Sequence, residues 1–269
     1  MDRYRLKNII ILILLLVNLF LLGSLAQRRA MEKATYQNTV EQITTLFSMD
    51  GVSLDVESIP RDVPPVGWTM SRSTELDRQA AAFLLGEPVS RADQGGGIFT
   101  YSGKNGAALF RANGSFSAAG TLSDTNGEDF CRDFCRQFGY DAPQSQLDQN
   151  VTGTITAARR WNNLPVLGCT VTFTLTEGRV TGVSGTLLPE TATELPDQAE
   201  PLSALAALTA FQQNRKETGA VVSSISDIYL CYELQSTTAV PMVLTSAWCI
   251  VTNTAKYYVN SATGAVHLF

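Results

Sequence analysis

The stretch Cys169-Thr-Val-Thr-Phe-Thr-Leu-Thr176 decides the fold class of this 269-residue chain, because apolar and polar residues alternate in it without interruption. Successive side chains of a strand point to opposite faces, so Cys169, Val171, Phe173 and Leu175 line one face and four threonines line the other. A strand with one apolar and one polar face is typical of an antiparallel sheet that is covered on one side. The sequence therefore predicts an antiparallel sheet whose second face lies in water.

The residues around this stretch predict an order of one helix followed by strands. A helix over residues 128–138 is ended by Gly139. The strands predicted after it cover residues 151–160, 166–176 and 179–188. Residues 73–86 have the spacing of an earlier helix, and three short apolar runs follow it in residues 95–119, separated by turns at Gly103-Lys-Asn-Gly106 and Asn113-Gly114.

The same order recurs in the last third of the chain. A helix is predicted over residues 202–216, after an acidic, proline-containing linker at 189–201. The strands predicted after it lie near residues 225–234, 242–252, 256–260 and 265–269, and a short strand is predicted early in the chain at residues 53–59. We therefore expect an α+β fold of antiparallel β-sheets, each covered by helices, in repeated units of one helix and three or four strands. The predicted boundaries place a first unit at residues 50–126 and a second region of two units at 127–269.

The amino-terminal segment has a different composition, because residues 8–27 form 20 consecutive positions without a charge. A helix of this length spans about 30 Å, the thickness of the hydrocarbon core of a bilayer. We predict a transmembrane helix at residues 9–26 behind a cytoplasmic tip at 1–8. A secretory signal peptide is the alternative, since Arg3, Arg5 and Lys7 form a basic start and Ser24-Leu-Ala26 resembles a cleavage site before Gln27.

The residues after the apolar segment favour the membrane anchor. Arg28, Arg29 and Lys33 follow it directly, and a helical stripe at i, i+4, i+7 and i+11 continues without a break. The stripe consists of Tyr36, Val40, Ile43 and Phe47. We therefore predict a juxtamembrane helix at residues 27–49 that continues the transmembrane helix. Cations lie on both flanks and resolve orientation weakly, but the long acidic body favours a cytoplasmic amino terminus and an extracytoplasmic body.

Charge and composition disfavour several functional classes. Residues 1–29 carry five cations and one acid, and the whole chain carries −5, so residues 30–269 carry −9 and disfavour nucleic-acid binding. His267 is the only histidine, no Gly-x-Ser-x-Gly motif occurs, and no cysteines and histidines have the spacing of a zinc site. We expect no catalytic, metal-binding or cofactor-binding residues. An envelope hydrolase with a carboxylate pair stays open, although nothing in the sequence selects the pair.

Four of the five cysteines form two pairs that could interact. Cys131 and Cys135 lie four apart on a predicted helix among phenylalanines, which indicates core packing. Cys231 and Cys249 lie on strands that are expected to be neighbours, so a disulfide between them is the pairing to test.

The two ends of the chain carry distinctive short stretches. Residues 1–8, MDRYRLKN, run directly into Ile9-Ile-Ile11. Near the other end, Trp248-Cys-Ile-Val251 and residues 257–266, YYVNSATGAV, resemble the closing hairpin of PepSY-type domains, with Asn260 where such hairpins often carry aspartate. These stretches, together with the single predicted span, resemble the YycI family of bacterial membrane proteins and its relative YycH. Members of this family are single-span regulators of a sensor histidine kinase of the WalK (YycG) type.

The resemblance implies a protein without enzymatic activity. Its partners would be the transmembrane helices of the kinase and a sister regulator of the YycH type, and no cofactor is implied. By matching position, the contact residues would lie on the transmembrane helix at Ile9, Leu12, Leu16, Asn18, Phe20 and Leu22. An amide near mid-membrane prefers a hydrogen-bonding partner on another helix, although a single span also tolerates one asparagine. The alternative is a PepSY-like extracytoplasmic binding or inhibitory module directed at a peptidase or cell-wall ligand.

Overall fold

The structure is a computed structural model that describes residues 3–123, 126–195, 200–237 and 240–268, with side chains described outside residues 3–10, 236, 237, 240 and 241. Its α-helices are α1 (Arg3–Met49), α2 (Thr74–Leu85), α3 (Gly127–Gln137) and α4 (Ala204–Thr218). The strands of the first sheet, sheet I, are β3 (Ser90–Asp93), β4 (Phe99–Gly103), β5 (Gly106–Phe110), β6 (Ser115–Gly120), β7 (Gln144–Leu147), β8 (Gly153–Trp161), β9 (Leu164–Thr176) and β10 (Arg179–Thr186). Those of sheet II are β1 (Ser53–Leu54), β2 (Trp68–Met70), β11 (Thr193–Glu194), β12 (Ser224–Thr237), β13 (Val240–Thr252), β14 (Lys256–Asn260) and β15 (Val266–Leu268). The protein therefore has the predicted α+β fold.

Sheet I is antiparallel throughout, in the order β7-β8-β9-β10-β6-β5-β4-β3. The alternating stretch that predicted it lies in β9. Its apolar members Cys169, Val171, Phe173 and Leu175 have no exposed surface. Three of its four threonines are exposed, so one face of this strand is wet, as the alternation predicted.

Helices α2 and α3 cover the same face of sheet I. Phe134 of α3 packs edge-on against Phe173 of β9 with ring centroids 5.5 Å apart, and Phe83 of α2 packs against Phe130 of α3 at 5.0 Å. Cys131 and Cys135 are buried in this core, as their spacing indicated. The division of the chain into units at residues 50–126 and 127–269 stays a prediction.

Sheet II is built around the long antiparallel pair β12–β13. Strand β13 pairs on its other edge with β2 and with β14, and β14 pairs with β15. The short strand β1 runs parallel to β12. A short parallel contact between β12 and β9, at Tyr232 and Val166, joins the two sheets. One face of sheet II is covered by α4 and by the last turns of α1.

The predicted closing hairpin is formed by β14 and β15. Gly264 has φ +73°, a conformation that a residue without a Cβ adopts readily, and its N–H donates to the carbonyl of Asn260 at 2.9 Å. The Asn260 side-chain oxygen accepts from the N–H groups of Ala262 and Thr263 at 3.0 and 3.1 Å. An asparagine therefore supplies the acceptor that an aspartate would supply at this turn.

Four strands were not predicted, and all are short. Strand β3 is exposed at every position and has no apolar alternation, and β7 is largely exposed. Strand β2 pairs with β13 on one edge and with β11 on the other, and β11 lies inside the segment that was predicted to be a linker. The strand predicted at residues 53–59 ends at Leu54, because the Asp55 side chain accepts from the Glu57 N–H at 3.0 Å and begins a 3-10 helix over Val56–Ser58.

The disulfide considered between Cys231 and Cys249 does not form. All five cysteines are free and buried. The register of β12 and β13 places Cys231 opposite Ala247 and Cys249 opposite Tyr229, so the two cysteines are diagonal neighbours. Diagonal positions lie about 7–8 Å apart, whereas bridged cysteines have Cα atoms about 4.4–6.8 Å apart.

Candidate functional site

Helix α1 is one continuous helix of 47 residues, which is about 70 Å at 1.5 Å per residue. Its described part contains one segment that is long and apolar enough to cross a membrane, with mean hydropathy 2.0 and no burial against the rest of the chain. The predicted transmembrane and juxtamembrane segments thus belong to one helix. No loop interrupts it between the apolar segment and the body.

The last turns of α1 pack into the core of sheet II. The predicted stripe is confirmed, since Val40, Ile43 and Phe47 are buried. The Phe47 ring has no exposed surface and stacks on Phe211 of α4 with centroids 6.3 Å apart. Tyr36 is half-buried, and the Arg61 guanidinium lies 4.5 Å from the centre of its ring.

A polar cluster around Asp50 joins the end of α1 to α4. The Asp50 carboxylate accepts from the Gln212 side chain and lies 2.8 Å from Lys216 Nζ and 3.3 Å from a terminal nitrogen of Arg215. The hydrogen bond from Lys216, aided by the nearby positive charges, lowers the pKa of Asp50 from its ordinary value. We call these four residues the Asp50 cluster. Apolar and polar contacts together therefore hold the end of α1 against the body.

The residues proposed to contact partner helices lie on two sides of α1. Leu12, Leu16 and Phe20 recur at i, i+4 and i+8, and they are 58%, 58% and 74% exposed. Ile9 belongs to the same side by spacing, but its side chain lies outside the described residues. Asn18 lies on the opposite side of the helix with Leu22, four residues further on.

Asn18 is exposed and makes no side-chain hydrogen bond within the part of the chain that the structure describes. The apolar stripe and the amide are thus available on different faces of one helix.

A groove of about 840 Å³ lies between α1 and the first turns of α4. We call it the juxtamembrane groove. On α1 it is lined by Ser24, Gln27, Arg28, Met31, Glu32, Thr35, Tyr36, Thr39 and Ile43, and on the α4 side by Ser203, Leu205, Ala206 and Thr209. Ser24, Gln27 and Met31 continue the side of the helix that carries Phe20, at i+4, i+7 and i+11. The exposed stripe of the apolar segment therefore runs into the groove.

The groove has the chemistry of a packing surface. Its charged members Arg28 and Glu32 pair with each other at 3.0 Å, and both side chains are largely exposed. Small and apolar side chains make up most of the remaining lining, and such surfaces suit close packing of another helix. Sequence reasoning missed this groove because α4 meets α1 only in the folded chain.

Metal-ligating side chains are dispersed among the described residues, and the cysteines are buried. Among the described residues no three His, Cys, Asp or Glu side chains are clustered for a metal ion. His267 lies in the closing hairpin opposite Tyr258. Burial raises the pKa of Cys131 and Cys169 to about 12 and that of Cys135 to about 11, so these thiols are poor nucleophiles.

Comparisons with known proteins give three solved structures at low identity and no family. No family model matches the chain, and no curated protein matches it. An uncharacterized protein from Eubacterium rectale ATCC 33656 is 11% identical over 86% of this chain and 98% of its own, with a TM-score of 0.48. The Bacillus megaterium YpeB C-terminal domain is 13% identical over 74% of this chain and 99% of its own, with a TM-score of 0.34. YycH from Bacillus subtilis is 13% identical over 77% of this chain and 53% of its own, with a TM-score of 0.36. Membership of the YycI family stays a hypothesis.

Proposed function

We propose that the protein is a membrane-anchored, extracytoplasmic regulator of a two-component sensor histidine kinase. In this proposal α1 crosses the membrane once, with its amino terminus in the cytoplasm, and contacts the transmembrane helices of the kinase. The body lies outside and binds a sister regulator of the YycH type. The observation that carries the proposal is the continuity of α1, whose apolar segment is exposed while its last turns are buried in the body.

The exposed segment of α1 has the features that helix association in lipid requires. Lipid removes the hydrophobic gain between helices, so association depends on packing and on polar contacts. The stripe of Leu12, Leu16 and Phe20 offers packing, and Asn18 offers an amide on the opposite side. Two usable faces allow α1 to lie between two helices of a partner.

Regulation requires that α1 bind one state of the kinase better than the other, since equal affinity for both states shifts nothing. A helix without a break at the membrane surface transmits a displacement of the body into the bilayer. Binding of a second regulator to the body could in this way alter the contact within the membrane.

A replacement of the span tests the proposal. Residues 9–25 are exchanged for a leucine-alanine span of equal length, and the full-length protein is co-expressed in turn with each sensor histidine kinase of its source organism. We expect loss of co-purification and a changed output of the kinase that binds the original chain. The matched control exchanges only surface residues of β3, which is exposed and distant in sequence from α1.

Unchanged binding and output after replacement of the span would contradict the proposal. Activity retained by a protein with the unrelated span would instead favour a PepSY-like binding module that acts through its body alone.

A further inference from the structure

A buried arginine near the end of β8 has no partner for its charge among the residues that the structure describes. Arg159 is only 8% exposed and faces the helix-covered side of sheet I, like Ile155 and Ala157. Its Nε is buried without a hydrogen-bond acceptor, and its guanidinium takes part in no ion pair among the described residues. The adjacent Arg160 is exposed and lies 2.9 Å from the Asp141 carboxylate. A buried charge without a partner is strongly unfavourable, so a ligand of opposite charge would stabilise Arg159 in this position.

Arg159 lines a pocket of about 220 Å³ between α2, the end of α3 and residues 188–191. We call it the Arg159 pocket. Leu76, Phe138 and Leu188 give it an apolar wall. The end of α3 approaches the guanidinium closely, since a Cβ built on Gly139 would lie 1.4 Å from a terminal nitrogen of Arg159. Glycine at this position therefore leaves room for the charged group.

The mouth of the pocket carries exposed polar and acidic side chains. Gln79 and Thr191 are exposed there and can donate hydrogen bonds. Glu75 also lies at the mouth and is held by Arg78 at 2.7 Å. The hydrogen bonds from Arg78 and then Gln79 lower the pKa of Glu75, so it is ionised. Glu190 is an exposed second carboxylate.

The charges and shape of the pocket define its ligand. A planar guanidinium matches a carboxylate through two parallel hydrogen bonds. Two carboxylates at the mouth repel a dianion such as phosphate more strongly than a monoanion. The apolar wall suits a short hydrocarbon group next to the charged one.

We propose that the Arg159 pocket binds a carboxylate carried on a short apolar group, with Arg159 as its counter-ion. Such a carboxylate occurs on a short-chain carboxylic acid and at the carboxyl terminus of a peptide. The proposal goes beyond the regulatory function and does not depend on it.

Calorimetric titration of the full-length protein in neutral detergent tests the proposal. The probes are N-acetyl-L-leucine, N-acetyl-L-leucinamide, isovalerate and inorganic phosphate. We expect a carboxylate probe to bind at least tenfold more tightly than the amide and phosphate. Tighter binding of N-acetyl-L-leucine than of isovalerate indicates a peptide terminus, and the reverse order indicates a free acid.

Substitutions in and beside the Arg159 pocket test whether the carboxylate binds there. Arg159→Met should weaken carboxylate binding at least tenfold, whereas Arg160→Met, which alters the neighbouring exposed arginine, should change it less than twofold. Thr191→Trp fills the mouth of the pocket from an exposed position and should abolish carboxylate binding while the fold persists. It therefore tests the location of the binding site even if Arg159→Met does not fold.

Three results would overturn the proposal. The first is the absence of carboxylate binding to the wild-type protein. The second is unchanged binding in Thr191→Trp. The third is binding that occurs only in Glu190→Gln, which would identify Glu190 as the internal partner of Arg159.

Discussion

Replacing Phe47 with alanine should loosen α1 from the body. Phe47 has no exposed surface, and its ring stacks on Phe211 of α4 at 6.3 Å in the core that also contains Trp248. Truncation of a fully buried phenylalanine costs about 3–5 kcal/mol through lost burial and a residual cavity. At about 1.4 kcal/mol per factor of ten, the ratio of folded to unfolded protein should fall roughly a hundredfold or more.

Urea unfolding of the full-length protein in neutral detergent measures this loss. Tryptophan fluorescence reports on the core because Trp248 is buried and its indole N–H donates to the Leu202 carbonyl at 2.8 Å. Leu46→Ala is the matched control, since Leu46 is 37% exposed on the same turn and its truncation should cost at most about 1 kcal/mol.

Amide hydrogen exchange in the last turns of α1 should accelerate in Phe47→Ala and stay unchanged in Leu46→Ala. If the two variants lose equal free energy of unfolding, or if exchange in these turns does not change, the end of α1 is not held by the core in the way described.

Three further predictions concern the pH dependence of stability, helix association in the membrane and the accessibility of the cysteines. The pKa of Asp50 is lowered in the folded state, so the stability it contributes is present above its ordinary value of 3.8 and is lost as the pH falls through the lower folded value. Asp50→Asn should therefore lower the midpoint of urea unfolding at neutral pH, and its difference from wild type should vanish at strongly acidic pH. Asn18→Leu should weaken association with a partner helix about threefold, near the mean of about 0.6 kcal/mol for such contacts. Val17→Ala, which by helical spacing lies between the two proposed contact faces, should have less effect. Pairwise co-purification from membranes measures both. All five cysteines are buried, so iodoacetamide should modify none of them in the folded protein and all five in urea. Mass spectrometry measures the modification. Rapid modification of Cys131 or Cys169 without urea would contradict their burial.

The sequence predicts the parts of the fold that rest on local pattern. Alternation in residues 169–176 predicted the buried face of β9, and the stripe that ends at Phe47 predicted that the helix continues beyond the apolar segment. The closing hairpin was expected from the resemblance of residues 257–266 to PepSY-type hairpins, and Gly264 has the positive φ that its turn needs. Each of these features depends on residues that are close in the chain.

Features that depend on long-range register could not be predicted in the same way. Strand β3 is exposed throughout, so only pairing with β4 makes it a strand. Cys231 and Cys249 are diagonal neighbours because of the register in which β12 pairs with β13. This register changes by one residue at a β-bulge or irregularity between Ile225 and Asp227. The same difference applies to the candidate sites. The proposed contact residues between 9 and 22 could be predicted from the sequence because they lie in one apolar segment. The juxtamembrane groove and the Arg159 pocket could not, because each is formed by elements distant in sequence.

In the proposed function, α1 binds a partner within the membrane and is continuous with the part of the helix that packs on the body. Co-purification of the full-length protein with a sensor histidine kinase, before and after exchange of residues 9–25 for an unrelated span, tests it most directly. We expect that binding is lost and that kinase output changes, while urea unfolding of the body stays the same. Equal binding and equal output with the unrelated span would contradict it.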